Sequence, residues 1–285
     1  MRTPPPAAGT PPTQPVVSAA ALRPAIGRLY RLLPAARRTR LRCKGAWKLG
    51  ARKLARPLLQ LPVVLEAPSP VGVRMLVSAD PVDERIIDSL WRHRALYFPA
   101  LGSRPQPELV LDIGAHHGFY ALFALAAYPE SRILCVEPAA AAISLLRQNL
   151  ELNGWIDRVT VRRAALAGQR GTGELKHSRD GSWGHSLLES DKRATGIERV
   201  ETASLGDLIG DCRPDLVKCN AEGAEYELVR QLADGDWRPS LVILAAHPWL
   251  GDLPALVATM ERLGYGHEQL GYPQRPMFHF RYLPT

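Results

Sequence analysis

The residues best placed to do chemistry are five polar side chains that each follow a short apolar run: Asp112, Glu137, Asn220, Glu222 and His247. An apolar run that stops at glycines or a polar residue and restarts at helical spacing reads as strand, turn and helix. In an open α/β sheet, groups at the carboxyl ends of the strands share one crevice, and ligands bind there. The first run, LVLDIGAHHG (109–118), ends in a turn in which Gly114 and Gly118 flank Ala115, His116 and His117. Residues without a Cβ permit a sharp turn and a close approach to a ligand. A turn with only a structural role is the alternative, and the second acidic strand end at Glu137 argues against it. Glu137 lies 23 residues beyond Gly114, a placement suited to accepting hydrogen bonds from ribose hydroxyls. It also suits the positive end of a following helix with Pro138 at its first position, and the two roles are compatible. A dinucleotide turn starting at Gly114 needs glycines at 116 and near 119, where His116 and Phe119 stand, and no GxxxxGK[ST] phosphate loop occurs. A nucleoside cofactor without phosphates fits better, and S-adenosylmethionine is the obvious candidate.

The elements that must position these groups alternate in type. FYALFALAAY (119–128) has helical spacing, and RILCVEP is a fully apolar strand ending in Glu137. A helix is expected over 139–153, then VTVRRAAL (159–166) as a third strand that includes Ala165. Residues 168–200 break the rhythm and read as a hairpin with a long loop, and VETASLGDLIG gives a further strand and a short helix. DLVKCN (215–220) and SLVILAAHP (240–248) are the fourth and fifth core strands, each followed by a helix, and two short strands near 267–270 and 277–282 close the chain. Such alternation implies a mostly parallel sheet with helices on both faces. Upstream, 63–80 suggests short strands in a hairpin, and 81–98 carries a helical stripe through Val82, Ile86, Ile87, Leu90 and Trp91. That segment is expected to cover the sheet edge or the mouth of the site.

Composition places the chain among folded globular proteins, with 46% hydrophobic and 22% charged residues. The net charge of +8 suggests nucleic acid until its distribution is read. Residues 1–65 hold thirteen Lys or Arg and no acid, which leaves 23 basic and 28 acidic residues in 66–285, a net of −5. An acidic core argues against a nucleic-acid partner, whose electrostatic footprint should reach the site itself. Residues 1–24 are Pro-rich and expected to be disordered. Residues 25–62 form a basic helical arm, in which Trp47, Ala51, Leu54, Leu58 and Leu61 recur between Lys48, Arg52, Lys53 and Arg56. The arm either packs on its own domain or, through 26–61, meets a membrane surface or an acidic partner. Residues 63–108 are the cover segment and 109–285 the cofactor-binding core. The four cysteines show no CxxC pair and no metal-ligand spacing, so a reducing, cytoplasmic setting is the default, with peripheral membrane attachment through the arm as the alternative.

LVLDIGAHHGFYAL, ILCVEP, the NLELNG helix end, AAL, DLVKCNAEGAE and VILAAHP, in this order and spacing, resemble the FkbM family of methyltransferases. The likeness covers roughly 70–283 and leaves out the arm. The DxGAxxG turn is common to class I methyltransferases, whereas the K-x-[DN]-x-EGAE element at 218–225 is far more specific. The resemblance implies a class I methyltransferase, Rossmann-like, sheet of seven strands with the last antiparallel. It also implies methyl transfer from S-adenosylmethionine, typically to a hydroxyl oxygen. Asp112, Gly114 and Gly118 match the turn around the methionine end of the cofactor, with Ala115 and His116 in the same turn. Glu137, next to Pro138, matches the ribose-binding acid, and Ala165 lies where the adenine edge is met. Asn220 and Glu222 match the strand tip beside the transferring methyl. Four positions depart from the family: His116-His117 replace Asn-Ile, Asn220 replaces Asp, and Ala245 replaces Glu.

Methyl transfer is an in-line displacement that requires an aligned acceptor and often removal of its proton. His247 is the first choice of base, because a neutral imidazole suits physiological pH, with Glu222 orienting it or binding the acceptor. A strand-end histidine with a purely structural role is the alternative. Trp183, His185 and Ser186, in the loop at 177–190, are expected to meet the acceptor, unless that loop is a surface hairpin. No metal is expected, since adjacent histidines such as His116 and His117 rarely converge on one ion. The leading function is O-methylation of a hydroxyl on a small molecule or sugar. An N-methyltransferase is a second reading, and a cofactor-binding but catalytically silent partner protein a third, prompted by the two missing carboxylates.

Overall fold

The computed structural model describes residues 17–18, 63–66, 72–77, 81–101, 104–178, 187 and 194–284. The arm at 26–61 and the loop residues Trp183, His185 and Ser186 lie outside the described residues. The chain divides into two compact units, Met1–Leu65 with Leu76–Ala79, and Glu66–Met75 with Asp80–Thr285. In the first unit, strand β1 (Val17–Ser18) pairs in parallel with β2 (Val63–Glu66), Val17 opposite Val63. A strand therefore stands inside the Pro-rich leader that composition led us to expect without structure. A further strand, β3, spans Arg74–Val77.

From Asp80 on, the second unit contains helices α1 (Pro81–Arg92) and α2 (Arg94–Tyr97). Strand β4 (Leu109–Ile113), helix α3 (Phe119–Ala127), β5 (Arg132–Val136) and α4 (Ala140–Leu152) follow. Strands β6 (Val159–Arg162), β7 (Ala165–Leu166), β8 (Gly171–Ser178) and β9 (Ala194–Ala203) precede α5 (Leu205–Ile209). The unit ends with β10 (Leu216–Cys219), α6 (Ala224–Asp234), β11 (Leu241–Ala245), α7 (Leu253–Arg262), β12 (Tyr265–Tyr272) and β13 (Arg275–Tyr282). Seven strands form the main sheet in the order β12-β13-β11-β10-β4-β5-β6. Strand β13 runs antiparallel to both β11 and β12, while the pairs β11–β10, β10–β4, β4–β5 and β5–β6 are parallel.

The apolar runs explain this arrangement. All four residues of β10 are buried, as are the last four of β4 and of β5, and strands covered on both faces read as continuous hydrophobic runs. Helix α3 is apolar on every side and buries each residue from Phe119 to Leu125, as a helix between layers must. Helix starts follow local chemistry: Ser204 and Asp207 close a reciprocal capping box on α5, and the Asp252 side chain accepts from the Ala255 N–H at the start of α7.

Two expectations are corrected. The run 159–166 is not one strand, because it breaks at Arg163 and Ala164. The Ala164 N–H donates to the Arg162 carbonyl at 3.1 Å, so β6 ends the main sheet while β7 joins a second sheet of order β7-β9-β8. Pro138 is not at the first helical position either. Helix α4 has Ala139 as its N-cap, and Pro138 stands one residue earlier, where its ring completes the bend out of β5.

Candidate active site

A cavity of about 730 Å³ opens at the carboxyl ends of β4, β5, β10 and β11, within the size range of sites that enclose small ligands. Gly114, Ala115, His116, Glu137, Pro138 and Ala165 line it, and so do Asn220, Glu222 and His247. Nine of the residues singled out in the sequence thus surround one space. Asp112 and Gly118 are not in its wall. Asp112 is fully buried, and Gly118 is the N-cap of α3 in the left-handed region, φ 79°.

The glycine turn comes very close to the next strand. Gly114 has φ 74°, and a Cβ built there would lie 2.2 Å from the Asn220 carbonyl oxygen, so no side chain fits. The N–H groups of Gly114 and Ala115 both donate to the Val136 carbonyl, at 3.0 and 3.1 Å, and that of Gly118 donates to Ala115. The His116 N–H donates to Glu137 Oε2 at 2.8 Å, and Glu137 Oε1 accepts from the Ala139 N–H at 2.9 Å. The turn therefore offers a diphosphate few uncommitted donors, and a carboxylate stands beside it. Burial pushes the Glu137 carboxyl upward, opposed by those two backbone donors. Each of its oxygens keeps a lone pair for a further donor.

Below the turn, Lys218 faces Asp112 in the parallel pairing of β10 with β4. Lys218 Nζ donates to Asp112 Oδ1 at 2.8 Å and to the Gly114 carbonyl at 3.0 Å. It also lies 5.5 Å from the centre of the Tyr120 ring. Burial raises the Asp112 pKa, and the Lys218 charge works against that rise. Asp112 is thus placed to hold Lys218 against the turn's carbonyls rather than to touch a ligand.

Where β10 and β11 end, His247 lies between two carboxylates. Its Nδ1 is 2.8 Å from Glu225 Oε1 and its Nε2 is 3.2 Å from Glu222 Oε1. Glu225, fully buried, also accepts from the backbone N–H groups of His247 and Gly223, at 2.9 and 2.8 Å. Burial works against a charged imidazole, but the hydrogen bonds and charges of Glu222 and Glu225 outweigh it and raise His247 to about 9. A pKa raised to about 9 favours the imidazolium, whose two ring nitrogens both face carboxylates, over the neutral base expected from the sequence. Glu222 sits at φ 32°, a backbone that non-glycine residues rarely adopt.

Sequence reasoning quoted Lys218 and Glu225 within their motif but gave neither a task. Register was the available signal for Lys218, opposite Asp112. For Glu225 it was the second acid of EGAE, in the first turn of a helix beside a strand-end histidine. The histidine pair also departs from expectation. His116, at φ 52°, turns the backbone so that its ring lies 3.7 Å from that of His117, centre to centre. His117 Nδ1 is 2.8 Å from Asp83 Oδ1 on α1. The two rings thus stand side by side, with Asp83 against His117.

A seven-stranded sheet of this order, with its last strand reversed and its cavity at the first glycine turn, defines a class I methyltransferase. The methyl donor of that fold is S-adenosylmethionine, and a close-approach turn with committed N–H groups suits a cofactor without phosphates. The chain belongs to the FkbM family, whose methyltransferase domain model matches residues 112–266. It is 25% identical over 198 residues to methyltransferase sdnD of Sordaria araneosa, covering 58% of this chain and 76% of that protein. It is 26% identical over 154 residues to methyltransferase 1 of Beauveria bassiana, covering 47% of this chain and 61% of that protein. An O-methyltransferase family protein from Burkholderia thailandensis superposes with a TM-score of 0.45 at 11% identity, covering 70% of this chain and 57% of that one. No helix among the described residues is long and apolar enough to cross a membrane.

Proposed function

We propose that the protein transfers a methyl group from S-adenosylmethionine to a hydroxyl oxygen of a small molecule or saccharide. The Glu222–His247–Glu225 array in the cavity wall carries this reading. Glu137 ends β5 and His247 follows β11, with β4 and β10 between them. Three strand spacings separate them, roughly 14 Å, enough for a nucleoside joined to an amino acid to lie across the strand ends. In that pose the free lone pairs of Glu137 accept from the ribose hydroxyls. The apolar wall at Ala164, Ala165 and Leu166 covers the base, and the backbone at Gly114 approaches the methionine portion.

When bound, the cofactor supplies an electrophilic methyl group on a sulfonium centre. The protein's own task is to align the acceptor and receive its proton. Glu222 faces the cavity and serves as proton acceptor, oriented through His247, which Glu225 holds in turn. Asn220, beside it, donates or accepts a hydrogen bond to orient the acceptor oxygen. At the cavity mouth, exposed Tyr272 and Arg275, with Arg275 stacked 5.7 Å over the Trp249 ring, give a flat polarisable platform suited to a sugar face.

Calorimetric titration with S-adenosylmethionine tests the reading. The parent chain should bind it and Glu137→Ala should bind at least tenfold more weakly. Failure of the parent to bind would sink methyl transfer altogether. Binding without turnover on a broad panel of hydroxyl acceptors, alongside turnover on amines, would overturn the choice of oxygen.

A further inference from the structure

Asp83, His116 and His117 each present a ligating atom within 4.8 Å of the other two. From this convergence we propose a site for a divalent first-row transition cation, represented by zinc, formed between α1 and the glycine turn. It is separate from the Glu222–His247–Glu225 array and does not rest on the methyl-transfer reading.

The donor set fixes the class of ligand. Two imidazole nitrogens and one carboxylate oxygen suit zinc, cobalt or ferrous iron, whereas calcium and magnesium prefer shells of oxygen. Tetrahedral zinc with bonds of about 2.0–2.1 Å keeps its ligand atoms about 3.3 Å apart. His117 Nδ1 and Asp83 Oδ1 are already 2.8 Å apart, and the third donor lies within 4.8 Å. Small side-chain rotations bring all three to bonding distance.

The frame around them is fixed. Asp83 is fully buried and His117 is 7% exposed. Buried Asn149 donates to the His117 carbonyl at 2.8 Å, and the His116 N–H is anchored on Glu137. Neighbouring residues on an extended chain point apart, and the left-handed backbone at His116 is what sets the two rings side by side. On cation binding, the contact between His117 Nδ1 and Asp83 becomes two coordination bonds. The ring proton resides on Nε2, the tautomer that leaves Nδ1 with a lone pair. Three protein ligands leave a fourth position open, as in catalytic rather than structural zinc sites. His116 is the member of the set that lines the cavity.

The test uses the full chain, stripped with chelator and desalted, then titrated with cobalt(II) followed by competing zinc. One equivalent of cobalt should bind with the visible absorption of a four- or five-coordinate ion, and zinc should displace it. Asp83→Asn, which keeps the shape and a hydrogen bond, and His116→Ala, which removes a side chain in the cavity wall, should each weaken binding by more than 100-fold. That loss exceeds the roughly 10- to 100-fold caused by removing an outer-shell partner. Circular dichroism monitors folding, and His116→Ala decides the matter if Asp83→Asn unfolds. No stoichiometric cobalt or zinc binding at micromolar concentration would overturn the proposal, as would unchanged affinity in the folded variants.

Discussion

A side chain at Gly114 would have to occupy the space of the Asn220 carbonyl oxygen, 2.2 Å away, on a backbone at φ 74°. Neither side can give, since that oxygen belongs to the chain leaving β10 and Gly114 is held by its hydrogen bond to Val136. Gly114→Ala is therefore expected to lower stability by about 2 kcal/mol or more, read from the midpoint of urea unfolding, and to abolish calorimetric binding of S-adenosylmethionine. A folded variant with parental affinity would mean that the turn does not contact the cofactor. His247 carries a second expectation with a definite sign. Its folded pKa of about 9 lies above the usual 6.5, so its contribution to stability is full below pH 6.5 and lost as pH rises through 9. The loss is on the order of 3 kcal/mol. His247→Gln should flatten the fall in unfolding free energy between pH 6 and 9.5 relative to the parent, and equal slopes would show that the imidazolium is not held as described. The same residue separates two choices of base. A base role for His247 makes the rate climb as pH rises through 9, and a rate that does not climb there would remove His247 as the base.

Between elements, the Asp112–Lys218 pair links β4 to β10 beneath the cavity floor. Removing one partner leaves a buried charge without compensation. Lys218→Met should destabilise by about 3–5 kcal/mol, and Asp112→Asn added to it should recover much of that loss. Additive losses in the double variant, measured by chemical denaturation, would show that the two groups do not depend on each other. Much of the sheet was legible in the sequence because β4, β5, β10 and β11 are buried on both faces and their apolar runs leave no other reading. The break after Arg162 was not legible, since VTVRRAAL keeps strand-forming residues on both sides of the arginines and only tertiary pairing shows that Ala165 belongs with β9. Site groups at strand ends could be listed from polar residues that stop apolar runs. How they act could not, because the protonation of His247 depends on Glu225, which approaches from a helix, and the histidine pair depends on one left-handed φ and an aspartate 33 residues upstream of His116. Periodicity carries no record of either.

At the scale of the whole chain, charge and chemistry are kept apart. Thirteen basic residues fall in 1–65, while 66–285 carries a net of −5, and among the described residues those that line the cavity lie between Arg85 and Met277. A positively charged cofactor is favoured by the carboxylates Glu137 and Glu222 in that wall, and exposed charges more than about 8–10 Å away add little to its affinity because they are largely screened at physiological ionic strength. A chain lacking residues 1–60 should therefore bind S-adenosylmethionine within about threefold of the full-length affinity, with the same insensitivity to added salt. Calorimetry on both chains at low and physiological ionic strength provides the measurement. A tenfold or greater loss would make the arm part of the cofactor site. A gain seen only at low salt would instead show that the arm's positive charge repels the cofactor through space.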